Sequence, residues 1–148
     1  MGRLTTNEVV DLVRVKLFPD AIPSDGNWIT IPVLEKYQRI FFSQCKPSSA
    51  SKGHWNYDFF HTIPVKRVEQ IVDSGGKLVL INYVDKEYCL LSASELIWLC
   101  TYSSREKSNQ GRVIDIVINF DEEKTGYFLR PYDRMGKERR LVEVEKYE

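Results

Sequence analysis

Apolar residues recur at helical spacing in only a few stretches of this chain; most others gather in short β-branched or aromatic runs. In TTNEVVDLVRVKLFPD, Val9, Leu12, Val13 and Leu17 share one helical face, with Thr6 as N-cap, Glu8 in the first turn and Pro19 ending the run. The turn DAIPSDGN leads to the strand WITIPV, in which Pro32 marks an edge or a bulge. RIFFSQCK follows after about five residues, a gap short enough to imply an antiparallel hairpin. Beyond the loop PSSASKG, HWNYDFF reads as another strand, and IPVKRVEQIVDSGG as a short helix with Pro64 near its start and Gly75 at its end. KLVLINYV is almost continuously apolar, which predicts a central strand covered on both faces, and DK turns it into EYCLL. Ser92 and Glu95 form a capping box ahead of a helix through about Tyr102. A polar loop SSREKSNQG, the strand RVIDIVINF, the turn DEEKTG and the strand YFLRPY follow, and the charged tail carries a last strand near residues 141–144. This order predicts one mixed sheet with helices on its faces, an α/β or α+β layered fold in a single domain over residues 1–148.

Composition narrows the class without choosing a function. A chain of 148 residues, 43% hydrophobic and 28% charged, is an ordinary globular domain, and no apolar run approaches the roughly 20 residues that span a bilayer. MGRLTTNEVV lacks the basic-then-apolar pattern of a secretory signal, so the expectation is a cytoplasmic protein with no membrane partner; Gly2 with Thr6 fits only the loose myristoylation pattern. Twenty-one basic residues balance 21 acidic ones, so any polyanion site must be a local patch, with Lys66, Arg67, Arg105, Lys107, Arg112 and the RMGKERR segment as sources. Cys45, Cys89 and Cys100 are odd in number and without C-x-x-C spacing, which argues against a disulfide scaffold or a zinc fold. Cys89 and Cys100 read as small buried hydrophobes.

The candidate chemistry lies at the end of RIFFSQCK. Strand alternation puts Gln44 and Lys46 on the face of Phe42, and Cys45 on that of Phe41 and Ser43. Asp25, in the turn before WITIPV, and Glu8, on the opening helix, are expected to approach them. One carboxylate with an amide or carbonyl oxygen and a substrate phosphate suffices to hold magnesium, and a nearby lysine can orient the attacking water.

Glu8 on a first helix, Ser24–Asp25 before a hairpin and QCK at 44–46 together resemble the PD-(D/E)XK nuclease superfamily. There an aspartate precedes one strand, an acidic residue and a lysine two positions later end the next, and a helix-borne glutamate often joins them. The resemblance spans about residues 4–100, with 101–148 as elaboration, and implies a restriction-endonuclease-like core. It further implies a Mg2+-dependent endonuclease of homing, restriction or junction-resolving type, acting on double-stranded DNA as a homodimer or homotetramer. Asp25, Glu8 and the Cys45 carbonyl would hold the metal, Gln44 would complete or orient its shell, and Lys46 would position the water. Ser48, Ser49, Ser51 and Lys52 would meet phosphates, and His54 and Trp55 bases or sugars. Gln44 stands where most members carry Asp or Glu, and Pro23 lies one residue earlier than the family's proline. The alternative is therefore a non-catalytic nucleic-acid- or protein-binding module on the same fold. At the level of single residues, Asp25 doubles as a turn former, Glu8 as a helix-end charge and Cys45 as a thiolate beside Lys46.

Overall fold

In a computed structural model, the structure describes residues 2–33, 36–45, 48–49, 56–107, 109, 111–120, 126–131 and 139–148. The opening helix α1 spans Thr6–Lys16 and is capped by Thr5, one residue earlier than the pattern suggests. Thr5 Oγ1 accepts the Glu8 N–H, and Glu8 Oε1 accepts the Thr5 N–H at 2.9 Å, which satisfies two N-terminal donors reciprocally. The strands β1 (Ile22–Pro23), β2 (Trp28–Val33) and β3 (Lys36–Cys45) form an antiparallel meander, as the short connections require. A small ladder then joins β4 (Ser48–Ser49) to β5 (Asn56–Tyr57). The chain continues through β6 (Phe59–Pro64), α2 (Val65–Asp73), β7 (Lys77–Asn82), β8 (Glu87–Leu91) and α3 (Ala93–Ser103). It ends with β9 (Ser104–Lys107), β10 (Gly111–Phe120), β11 (Tyr127–Pro131), β12 (Arg140–Val142) and β13 (Val144–Lys146).

The mixed α and β content follows the pattern, but the single sheet does not. One sheet runs β1-β2-β3-β7-β8-β13, with β3 and β7 parallel and its other pairs antiparallel. A second, antiparallel sheet runs β12-β11-β10-β6, with β9 also on β10. The run containing FFHTIP pairs with β10 rather than with β3, because alternation fixes which residues of a strand are buried but not which strand lies beside it. Residues 104–107, expected as loop, form a strand on β10 despite carrying no apolar alternation.

Two cores divide the apolar residues. Val9 and Val13 of α1 pack on Ile29, Ile40, Phe42, Val79 and Ile81 of the first sheet. The opposite face of that sheet, with Phe41, Leu78 and Leu80, meets Phe59, Ile114 and Ile116 of the second sheet, Ile71 of α2 and Leu96 and Leu99 of α3. β7 is thus buried on both faces, the reason its sequence is continuously apolar. The C-terminal third is built into both sheets, β10 at the centre of the second and β13 on the edge of the first. Gly76 marks where the chain entering β7 comes up against β3: a Cβ there would stand 1.7 Å from the Arg39 carbonyl oxygen. No helix among the described residues is long and apolar enough to cross a membrane.

Candidate functional site

The end of β3 is a junction of three elements. The Phe42 N–H donates to the Asn27 carbonyl at 2.9 Å, so the turn bearing Asp25 lies alongside β3 two residues short of Gln44. That turn is closed by the Trp28 N–H on the Asp25 carbonyl and the Ser24 N–H on the Trp28 carbonyl, both 3.1 Å, with Gly26 at φ +58°. Asp25 itself is exposed. Gln44 faces α1, like Ile40 and Phe42. Its Nε2 donates to the Leu4 carbonyl at 2.9 Å and its Oε1 accepts the Leu4 N–H at 2.8 Å, so the carboxamide acts as a backbone-like clamp on the segment before α1. Glu8 reaches the next residue, Thr5. Glu8 and Gln44 therefore engage consecutive backbone residues at one end of α1.

The Cys45 carbonyl accepts the Tyr83 N–H at 3.2 Å within the β3–β7 pairing. Burial pushes the Cys45 thiol up to about 11 and Asp58 adds to the rise, although a backbone hydrogen bond from Phe60 opposes it; a thiolate at Cys45 is ruled out near neutral pH. Ser48 and Ser49 form β4. Lys46, Ser51, Lys52, His54 and Trp55 lie outside the described residues. No three His, Cys, Asp or Glu side chains among the described residues form a group able to hold a metal. As arranged, Gln44 Oε1 accepts the Leu4 N–H and Glu8 Oε1 accepts the Thr5 N–H, so both oxygens hold the segment before α1.

The other face of β3 carries chemistry the sequence reading passed over. Trp28 and Phe41 are cross-strand partners with ring centres 5.2 Å apart in an edge-to-face contact. The Arg39 guanidinium stands 3.8 Å from the Trp28 ring centre, and that of Arg67 stands 4.4 Å from Phe41 and 5.5 Å from Trp28. The Arg39 N–H is held by Ser74 Oγ at 3.2 Å, just past the C-terminus of α2. Among the described residues neither arginine forms an ion pair, whereas Arg14, Lys86, Arg112 and Lys146 each do. Two residues along the same face, Ser43 Oγ lies 2.7 Å from His61 Nδ1 on β6. His61 Nε2 is buried with no hydrogen-bond partner among the described residues. Burial, reinforced by the charge of Arg3, lowers the imidazole to about 4, so His61 is neutral at physiological pH.

A third group closes the end of β7. Asn82, fully buried, donates through Nδ2 to the Asp58 carbonyl (3.1 Å) and Asp85 Oδ2 (3.0 Å) and accepts the Val84 and Asp85 N–H groups through Oδ1. Asp58 Oδ2 accepts the Phe120 N–H at 2.8 Å. Burial raises the Asp58 carboxyl above its ordinary value, with Asp85 contributing. Glu87 accepts from Tyr127 Oη at 3.0 Å and faces Lys146 at 3.9 Å. These contacts tie loops to strand ends and leave the carboxylates structurally engaged. Comparison with protein-family models, with curated proteins and with solved structures gives no match. A sequence signal for the arginine–aromatic face exists in the shared parity of Arg39, Phe41 and Ser43, but Trp28 and Arg67 join it only through register and the docking of α2.

Proposed function

We propose that this chain is a non-catalytic DNA-binding module on a nuclease-like frame. The observation that carries this reading is the Gln44 carboxamide. At the position where the nuclease superfamily places a metal-binding acid, this chain has an amide whose two polar atoms are both engaged by the Leu4 backbone, at 2.8 and 2.9 Å. The frame itself supports the kinship: a helix, then a strand preceded by Asp25, lying antiparallel to the strand that ends in Gln44 and Cys45. The DNA-binding part rests on that kinship together with two arginines that have no acidic partner among the described residues.

The second reading is a Mg2+-dependent endonuclease working as a homodimer or homotetramer. It is favoured by the approach of Glu8, Gln44 and the Asp25 turn to one end of β3. One experiment separates the two. Fluorescence anisotropy with labelled duplex DNA in EDTA should show binding, while supercoiled plasmid with magnesium stays intact. Plasmid cutting that disappears in Lys46→Ala would transfer the conclusion to the endonuclease, and absence of binding would sink the module.

A further inference from the structure

Arg39 and Arg67 present an electrostatic arrangement that the described residues leave uncompensated. Both guanidinium carbons lie within 5.5 Å of the Trp28 ring centre, so two like charges share one aromatic platform without a carboxylate partner among the described residues. Arg67 also lies in the first turn of α2, where the positive end of the helix adds to its charge instead of offsetting it. The aromatic rings orient the two planar forks and shield their inner faces. Arginine forks held in this way have lost little further freedom when they meet a tetrahedral oxyanion, which they bind through paired N–H donors.

We infer that Arg39 and Arg67 form a phosphodiester-binding clamp for the DNA backbone, an inference that rests on the DNA-binding reading above. Burial decides which part of the nucleic acid the clamp reads. Trp28 and Phe41 are each only 8% exposed, so neither ring has a face open for a base to stack on. The rings serve the arginines, and the arginines serve phosphate. The clamp therefore supplies affinity and strong salt dependence but no sequence preference. It lies on the face of the first sheet opposite Gln44, which separates it from the candidate catalytic end of β3.

The test uses the full chain and two probes. Titration with inorganic pyrophosphate, followed through the arginine Nε–Hε resonances, should shift Arg39 and Arg67 saturably; no movement of either overturns the clamp whether or not DNA binds. For duplex DNA, the Arg39→Gln/Arg67→Gln variant should bind at least about tenfold more weakly at low salt, with the log–log salt slope shallower by about one to two. Gln retains part of the aliphatic stem that covers the rings, and the urea midpoint reports whether the fold is intact. Arg67→Lys keeps the charge and loses the fork, so it should weaken binding while preserving the slope. DNA binding that is unchanged in the double variant overturns the clamp and leaves the DNA-binding reading standing. Selective pyrophosphate shifts without any DNA binding reverse that outcome.

Discussion

If Gln44 is a structural clamp, replacing it with alanine should cost stability only through Leu4. Gln44→Ala removes two hydrogen bonds, at 2.8 and 2.9 Å, and leaves the Leu4 N–H and carbonyl to find other partners. Each bond contributes about 0.5–1.5 kcal/mol net. Gln44 and Leu4 are half-buried, so water takes up part of the loss and the total should settle at about 1–2 kcal/mol. With a urea m-value of about 2 kcal/mol/M, the unfolding midpoint should fall by about 0.5–1 M at constant m. The decisive arm repeats the substitution in a chain lacking residues 1–4, where the clamped backbone is gone. There Gln44→Ala should cost no more than about 0.5 kcal/mol, the ordinary limit of additivity. A full penalty that persists in the shortened chain, or no penalty in the full one, refutes the clamp.

Two further outcomes follow from other parts of the fold. Folding keeps His61 neutral down to about pH 4, while the unfolded chain protonates it near 6.5. Its contribution should therefore be flat above about pH 7, fall by up to roughly 3 kcal/mol between 6.5 and 4, and level off below. Urea midpoints across that range should lose this slope in His61→Gln; an unchanged slope contradicts the assignment. Gly76→Ala should cost at least about 3 kcal/mol, because its Cβ would stand 1.7 Å from the Arg39 carbonyl oxygen, whereas Gly26→Ala, at φ +58° in open space, should cost about 1 kcal/mol. Equal thermal shifts for the two variants would show that the approach of Gly76 to β3 is not tight.

Most of the longer elements were legible because they carry their own periodicity. WITIPV matches β2 residue for residue, Ser92 and Glu95 form the capping box of α3, and KLVLIN is the doubly covered strand its apolar run implies. Pairing was less legible. Nothing in FFHTIP distinguishes β10 from β3 as a partner, and the polar residues 104–107 become a strand only because β10 offers them a ladder. At the candidate site, parity correctly separates Gln44 from Cys45, and the short hairpin brings the Asp25 turn beside β3. The use made of Gln44 was hidden, since its partner is a main-chain segment 40 residues away and a backbone carries no sequence signature. The Ser43–His61 pair was hidden for a related reason, as it joins strands of different sheets.

Residues 140–146 join β12 to β11 in the second sheet and, a residue later, β13 to β8 in the first. During synthesis β8 and β11 must therefore wait, each with an unpaired margin, until this stretch has cleared the ribosome. Those margins are templates for pairing with other nascent copies. The closing contacts, such as Glu145 beside Tyr88, also span a long chain separation and form late. The last strands thus act as a fastener between two half-finished layers, and a cell that overproduces this protein meets its aggregation hazard in the interval before the fastener closes.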